Sequence, residues 1–151
     1  MKANRLTKHN SIGQVAVFFM ILCLVAMLVT GCEPPTGTQT FALILDDLDA
    51  PGGVFTHWIL LNIPSNSREL PEAVPTQAQL ASGALQGKND FGKTGYGGPC
   101  PPPGRPHRYQ FTIYALDDSL DLEAGASKKQ LLDAMQGHVL AQGQLTGTYR
   151  R

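Results

Sequence analysis

Two short segments of this 151-residue chain carry the side chains best suited to hold a small ligand. Residues 46–51 form an acidic segment followed by His57, and residues 97–102 form a glycine- and proline-rich segment followed by His107 and Tyr109. Imidazole N–H, phenolic O–H and backbone N–H groups all donate hydrogen bonds. Donors that converge in an apolar site suit a phosphate, a sulfate or a carboxylate. The two segments therefore predict a site for a small polar anion.

Asp47 and Asp49 add negative charge to the same predicted site. A carboxylate that faced the anion directly would repel it. We therefore expect these side chains to orient and charge a histidine, or to meet an ammonium group. A phosphoethanolamine headgroup offers both charges, so the residues themselves indicate a small anion that is either simple or zwitterionic.

Strand alternation predicts how the polar groups meet, because every second side chain of a strand shares a face. The two predicted faces are Phe55, His57, Ile59 and Leu61 in one strand, and His107, Tyr109, Phe111 and Ile113 in another. If these faces share a core, the imidazoles and the phenol converge at one rim of it. The loops at residues 46–53 and 95–104 would then close over that rim.

The apolar pattern of the chain indicates a mainly β fold. Strands are predicted at residues 40–45, 54–63, 80–85, 107–116 and 138–149, with the third the weakest. Turn residues such as glycine, proline and asparagine separate them. This order of elements predicts an antiparallel β-sandwich or barrel-like sheet with one late helix.

The late helix is predicted from its end signals. Ser127 would be the N-cap, Gln130 would complete a capping box, and Gly137 would end the helix. Its apolar side would be formed by Leu131, Leu132 and Met135.

The residues that carry a family resemblance are Asp46-Asp47-Leu48-Asp49-Ala50-Pro51 with Thr56-His57-Trp58, and Gly97-Gly98-Pro99-Cys100-Pro101-Pro102 with His107-Arg108-Tyr109. They resemble the signature blocks of the phosphatidylethanolamine-binding protein (PEBP) family, and more narrowly its bacterial Raf-kinase-inhibitor-like branch. The resemblance extends over about residues 36–151. It implies a PEBP-like sandwich whose anion pocket is lined by Asp47, His57, Gly98, His107 and Tyr109.

The same resemblance implies which residues shape the loops. Asp49 and Pro51 would shape the first loop, and the second would be shaped by Pro99, Pro101 and Pro102. This sequence departs from the family at Leu48, where a proline usually separates the two aspartates. Because proline restricts its own φ and the residue before it, its loss predicts a looser Asp47.

The N-terminal segment has the pattern of a signal peptide. Basic residues precede an apolar run from Val15 to Thr30, which at ~1.5 Å per residue spans roughly 24 Å and is shorter than a bilayer core of ~30 Å. The run ends in Val29-Thr30-Gly31-Cys32, which resembles a bacterial lipobox. Acylated Cys32 would anchor the chain in a membrane of the cell envelope, facing the periplasm or the cell exterior. An uncleaved anchor helix is the alternative.

This interpretation divides the chain into a lipoprotein signal at residues 1–31, a linker at 32–39 and a PEBP-like domain at 40–151. Residues 1–31 contain three basic and no acidic residues, so the remaining chain has nine basic and 12 acidic residues and a net charge near −3. That balance disfavours nucleic-acid binding. Cys100 would be left without a partner for an intrachain disulfide.

Several other functional motifs are suggested by the sequence but are excluded by the residues around them. Residues 87–94 match the P-loop letters, but the glycine-rich residues 95–98 and Pro99 follow instead of a helix. No short-range ligand spacing supports a metal site, no cofactor is indicated, and no G-x-S-x-G elbow accompanies the Asp47–His57 pair. Cys100 lies between prolines, which favours a packed loop residue over a nucleophile. We therefore expect a protein without enzymatic activity.

The family's usual first strands have no counterpart before residue 40, so we expect either a smaller sandwich or a shortened copy. Smaller domains bury less of their surface and have little stability to spare. The predicted domain is therefore marginally stable or dependent on a partner, and a cooperative melt above about 65 °C would contradict this. A lipid-anchored module for a phosphate-bearing ligand is the leading function. The alternatives are an inhibitor-like module that binds a kinase or peptidase, and a truncated copy without ligand.

Overall fold

The computed structural model describes residues 33–151, so the predicted signal at residues 1–31 and the predicted lipidation site Cys32 lie outside them. The described elements are β1 (Thr40–Asp47), β2 (Phe55–Pro64), β3 (Leu85–Gln86), β4 (His107–Leu116), α1 (Lys128–Ala134) and β5 (Val139–Tyr149). The strands form one sheet in the order β3-β2-β1-β4-β5, and every neighbouring pair is antiparallel. The predicted mainly β antiparallel fold with one late helix is confirmed. Within residues 33–151 the layers beside the sheet are the helix and loops.

The central strand β1 is buried on both faces, which explains its continuous apolar sequence. We call the two clusters on these faces the helix-side cluster and the loop-side cluster. The helix-side cluster consists of Ala42, Ile44, Ile59, Leu61, Leu116, Leu120, Leu131 and Met135. The loop-side cluster consists of Leu43, Leu45, Trp58, Leu60, Ile63, Ala84 and Tyr109. Alternate residues of β1 therefore hold the two layers together.

The third strand is shorter than the predicted strand at residues 80–85. A tight turn interrupts that segment: the N–H of Gly83 donates to the Leu80 carbonyl and the N–H of Leu80 donates to the Ala84 carbonyl. Gly83 has φ +93°, a conformation that glycine adopts without steric cost. The strand consequently begins only at Leu85, where it pairs with Leu61 of β2.

The helix has the predicted start. The Ser127 side chain accepts from the backbone N–H of Gln130, and the Gln130 side chain accepts from the backbone N–H of Ser127, which completes the capping box. Leu131 and Met135 are buried against the sheet. Leu132 was predicted on the same side but is 39% exposed, because a helix of only seven residues buries a single narrow stripe.

A β-bulge in β2 changes the direction of its side chains. Leu45 pairs with Trp58 while the next residue, Asp46, pairs with Thr56, so His57 is the extra residue of β2. Such an insertion interrupts the period-two alternation. Ile59 belongs to the helix-side cluster, whereas His57 contacts Tyr109 of the loop-side cluster. The predicted common face of His57 with Ile59 and Leu61 is therefore wrong.

The last strand leaves much of its surface open among the described residues. β5 is an edge strand, and ten of its 11 residues are exposed, including Leu145 at 71%. Within residues 33–151, no helix is long and apolar enough to cross a bilayer.

Candidate functional site

A pocket of about 170 Å³ lies at the end of the sheet where β1 ends and β4 begins. Its lining combines polar side chains with apolar walls: Asp47, Ala50, Pro51, Phe55, His57, Phe91, Cys100, Pro101, Pro102, His107 and Tyr109. Four of the five predicted ligand-binding residues thus lie around one cavity. Two features of the sheet bring these four residues together. Asp47 of β1 pairs with Tyr109 of β4, and the bulge in β2 turns His57 towards them.

Asp47 and His107 form a buried pair at the base of the pocket. Nδ1 of His107 lies 2.7 Å from Oδ2 of Asp47, and the two residues are 5% and 4% exposed. Because an ionised carboxylate only accepts, this Nδ1 carries the proton. Asp47 therefore orients the ring, as its sequence position predicts, and leaves Nε2 of His107 for the pocket.

Asp47 itself is held firmly. Its Oδ1 accepts from the backbone N–H of Asp49 at 2.9 Å, and the N–H of Leu48 donates to the carbonyl of Arg108. A side-chain turn and a β4 contact thus hold the loop at Asp47, while the loosening expected from leucine in place of proline stays a prediction.

His57 is fixed by the second loop. Its Nδ1 lies 2.7 Å from the carbonyl oxygen of Gly97, and the N–H of Gly97 donates to the carbonyl of His57. A carbonyl only accepts, so Nδ1–H is again the donor and Nε2 is left over. The Nε2 atoms of both pocket histidines have no hydrogen-bond partner among the described residues, and neither is a fully buried atom. Both are thus available to a ligand.

The Tyr109 hydroxyl completes the polar set. Tyr109 is 5% exposed, and its oxygen is the one buried side-chain polar atom without a hydrogen-bond partner among the described residues. Burial raises the pKa of Tyr109 to about 12, and the charge of the nearby Asp47 carboxylate and its short-range interaction with the hydroxyl raise it further, although the two groups lie outside hydrogen-bonding geometry. The phenol is therefore a protonated donor at neutral pH that lacks an acceptor among the described residues.

Aromatic rings form the wall beside His57. Its ring meets Phe55, Phe91 and Tyr109 edge to face, with centroids 5.2 to 5.3 Å apart. Such contacts fix the orientation of the imidazole by packing as well as by hydrogen bonds. The wall is apolar, so a polar group that enters meets donors in a poorly solvated space.

An exposed ion pair fastens the first loop to β4. Both carboxylate oxygens of Asp49 accept from the Arg108 guanidinium at 2.9 Å, and Oδ2 also accepts from the Arg108 backbone N–H. These bonds to Arg108 hold the pKa of Asp49 well below its usual range. Asp49 does not line the pocket, and the loop-shaping role that the resemblance implies for it stays a prediction.

The second loop differs in part from the expectation. Pro101 and Pro102 line the pocket, as Pro51 does from the first loop, but Gly98 and Pro99 do not. Gly98 instead borders a neighbouring cavity of about 740 Å³. Gly97 is the glycine that the pocket requires, because a Cβ there would lie 2.5 Å from the ring of Phe91. The sequence alone does not show which of Gly97 and Gly98 must be glycine, because this depends on where the Phe91 ring packs.

Phe91 and Cys100 are pocket residues that the sequence reasoning missed. Phe91 lies in the segment with P-loop letters, which is bound to the edge of β2: the N–H of Asp90 donates to the Thr56 carbonyl, and Asp90 Oδ2 accepts from Thr56 N–H. Cys100 is exposed, so the prediction of a packed cysteine is wrong. Its flanking prolines leave the residue accessible where the pocket and the neighbouring cavity meet. Within residues 33–151, no three His, Cys, Asp or Glu side chains gather as metal ligands would.

A single antiparallel sheet presents two oriented imidazoles, a buried carboxylate and an unpartnered phenol at one end, and these features define a β protein with a polar pocket. Residues 30–150 match the family described as phosphatidylethanolamine-binding protein, and the chain belongs to that family. The expectation drawn from the two sequence blocks is confirmed at this level.

Relatives and solved structures agree with this assignment. A UPF0098 protein of Methanothermobacter thermautotrophicus is 55% identical over 117 residues, covering 78% of this chain and 77% of the relative. A UPF0098 protein of Aquifex aeolicus is 52% identical, covering 79% and 70%. The crystal structure of Escherichia coli YbcL, described as a member of the mammalian PEBP family, superposes with a TM-score of 0.71 at 36% identity, covering 78% of this chain and 75% of YbcL.

Proposed function

We propose that this chain binds a small anion or phosphate-bearing headgroup, of the phosphate or phosphoethanolamine type, in the pocket between the two loops. The observation that supports this most is the buried, unpartnered Tyr109 hydroxyl in a pocket that also holds two free imidazole Nε2 atoms. Leaving a buried donor unpaired costs about 1–3 kcal/mol, and a bound phosphoryl oxygen would remove that cost. The pocket volume of about 170 Å³ suits a ligand of headgroup size.

The charges in the pocket favour a zwitterionic ligand over a simple dianion such as inorganic phosphate. The Asp47 carboxylate is satisfied by His107 and by the backbone of its own loop. When His107 is protonated the pair is neutral, and Nε2–H becomes a further donor to the anion. When His107 is neutral, the pair keeps the negative charge of Asp47, which favours an ammonium group nearby. A zwitterion with phosphate and amine therefore matches more of the site than inorganic phosphate does.

We further propose that the domain is a lipoprotein of the cell envelope, anchored through acylated Cys32 and facing the periplasm or the cell exterior. The supporting feature is the apolar run that ends in Gly31-Cys32, eight residues before β1 begins at Thr40. An extended linker of eight residues reaches at most ~29 Å, so the domain would stay close to the membrane surface. Ligands at that surface include lipid headgroups, which agrees with the proposed ligand class.

Thermal unfolding of the full chain in mild detergent tests the binding proposal. Separate melts would contain millimolar phosphate, phosphoethanolamine or ethanolamine, with His57→Ala measured beside the wild type. A ligand that binds only the folded state raises the melting temperature. We expect phosphoethanolamine and phosphate, but not ethanolamine, to raise it in the wild type, and His57→Ala to lose most of the shift. A cooperative melt that ignores all three compounds would contradict the proposal and favour a protein-binding module.

The anchoring proposal has an independent test. Mass spectrometry of the mature chain from bacterial membranes should show an N-terminal Cys32 that carries acyl chains, and Cys32→Ser should release the protein from the membrane fraction. An N-terminus that retains residues 1–31 without acylation would contradict it.

A further inference from the structure

We propose that Cys100 is a thiol-modification site that controls access to the ligand pocket. In this proposal a small disulfide converts the thiol to a mixed disulfide, and the added group blocks the binding of ligand. The proposal deepens the binding function above and rests on it.

Cys100 lies at the boundary of two cavities. It lines the ligand pocket together with Pro101 and Tyr109, and it also lines the neighbouring cavity of about 740 Å³ together with Lys93 and Tyr96. A small group attached to the sulfur therefore has space beside the pocket. Because Cys100 and His57 line the same pocket, the attached group would also compete with a ligand for the space inside it.

The surroundings of the sulfur are those of an accessible thiol. Cys100 is exposed, and Nη1 of Arg151 donates to its Sγ at 3.5 Å. Reactive cysteines are found in partly exposed sites beside a positive charge, whereas packed cysteines are inert. Cys100 is the only cysteine in residues 33–151, so a disulfide within the described domain cannot compete with modification.

A second observation points independently to a ligand at this place. The Tyr109 hydroxyl is buried in the same pocket and has no partner within residues 33–151. Cys100 lies close enough to that hydroxyl for its charge to contribute, after burial and Asp47, to the raised pKa of Tyr109. The thiol is therefore near the donor that a ligand would satisfy, and modification of one should affect the other.

The chemical step is an ordinary thiol–disulfide exchange. The Cys100 thiol gives its proton to solvent, and the thiolate attacks one sulfur of a low-molecular-mass disulfide. A new bond forms between Sγ and that sulfur while the original S–S bond breaks. The second sulfur leaves as a thiolate and takes a proton from solvent. Excess small thiol reverses the exchange, so the control is reversible.

The experiment uses the full chain in detergent and oxidised glutathione as the small disulfide. Mass spectrometry of the tryptic peptide that carries Cys100 reports modification at that residue, separately from Cys23 and Cys32. Isothermal titration calorimetry with phosphoethanolamine then compares binding before treatment, after treatment and after reduction. Cys100→Ser passes through the same cycle, and each variant serves as its own reference.

We expect modification of Cys100 to weaken phosphoethanolamine binding by about tenfold or more, reduction to restore it, and Cys100→Ser to show no change on treatment. Saturating phosphoethanolamine should also slow the modification of Cys100. Unchanged binding by the modified chain, or a Cys100 that stays unmodified while a free cysteine peptide reacts, would overturn this inference alone. An untreated wild type that binds neither phosphoethanolamine nor phosphate would overturn the proposed function as well.

Discussion

Replacing Tyr109 by phenylalanine should change stability and binding in opposite directions. The substitution removes one oxygen that is buried and has no hydrogen-bond partner among the described residues, and it leaves the ring contact with His57 in place. Without ligand, the variant no longer buries an unpaired hydroxyl, whose cost is about 1–3 kcal/mol. With ligand, it lacks a donor to a charged oxygen, a bond that contributes about 1.5–3 kcal/mol.

These magnitudes translate into measurable shifts. We expect the melting temperature of ligand-free Tyr109→Phe to rise by about 4 °C for each kcal/mol in a domain of this size. The dissociation constant for phosphoethanolamine should rise by roughly tenfold to a hundredfold, since each 1.4 kcal/mol is a factor of ten. Thermal melts and isothermal titration calorimetry on the same preparations would measure both.

Tyr114→Phe is the matched control. Tyr114 lies on the same strand, but it packs against the helix-side cluster and does not line the pocket. Its replacement should leave phosphoethanolamine binding unchanged. A Tyr109→Phe variant that is less stable than the wild type and binds as tightly would contradict this prediction, because the hydroxyl would then have a structural partner.

The raised pKa of Tyr109 adds a dependence on pH. In the unfolded chain a tyrosine titrates near pH 10, and in the folded protein Tyr109 titrates at about 12. The folded state therefore holds the proton more tightly, so this contribution to stability is complete below about pH 10 and is lost between about 10 and 12. Chemical denaturation across that range should show a smaller decline in Tyr109→Phe than in the wild type, whereas parallel declines would contradict the assignment.

The remaining predictions concern the loops. Gly97→Ala should displace the Phe91 ring, because the new Cβ would lie 2.5 Å from it, and should therefore weaken phosphoethanolamine binding. Gly98→Ala is the control: its Cβ would lie 3.9 Å from the Tyr96 ring, so this variant should bind as the wild type does. Equal effects of the two in calorimetry would contradict the placement. Gln86→Leu should cost about 3 kcal/mol or more in urea unfolding, since it leaves Trp58 Nε1–H and two loop carbonyls unpaired. Exposed Gln79→Leu, the control, should change stability by less than about 0.5 kcal/mol.

Local sequence signals predicted much of this fold. β4 has the predicted bounds, and the capping box of Ser127 and Gln130 is formed, because both depend on residues that are close in the chain. The alternation of β4 also correctly places His107 and Tyr109 on one side, where both line the pocket. Features of this kind follow from strand period and cap chemistry alone.

Features that depend on partners distant in sequence could not be predicted in this way. At the bulge, the pairing of β1 with β2 shifts by one residue between Leu45 and Asp46, which leaves His57 unpaired. The alternation of apolar and polar residues along β2 does not reveal this shift, because the shift depends on the partner strand. The choice of Gly97 over Gly98 depends on the position of Phe91, six residues earlier. The exposure of Cys100 likewise follows from how its loop meets the pocket and not from its neighbouring prolines.

Nitrogen NMR of the imidazole rings would show whether His57 and His107 bind the ligand. We expect phosphoethanolamine to shift the Nε2 signals of His57 and His107 in a saturable way. His138, which lies outside the pocket and pairs with Asp117, is the internal control and should not respond. Equal responses of all three rings, or none at saturating ligand concentration, would contradict a binding site built from these two histidines.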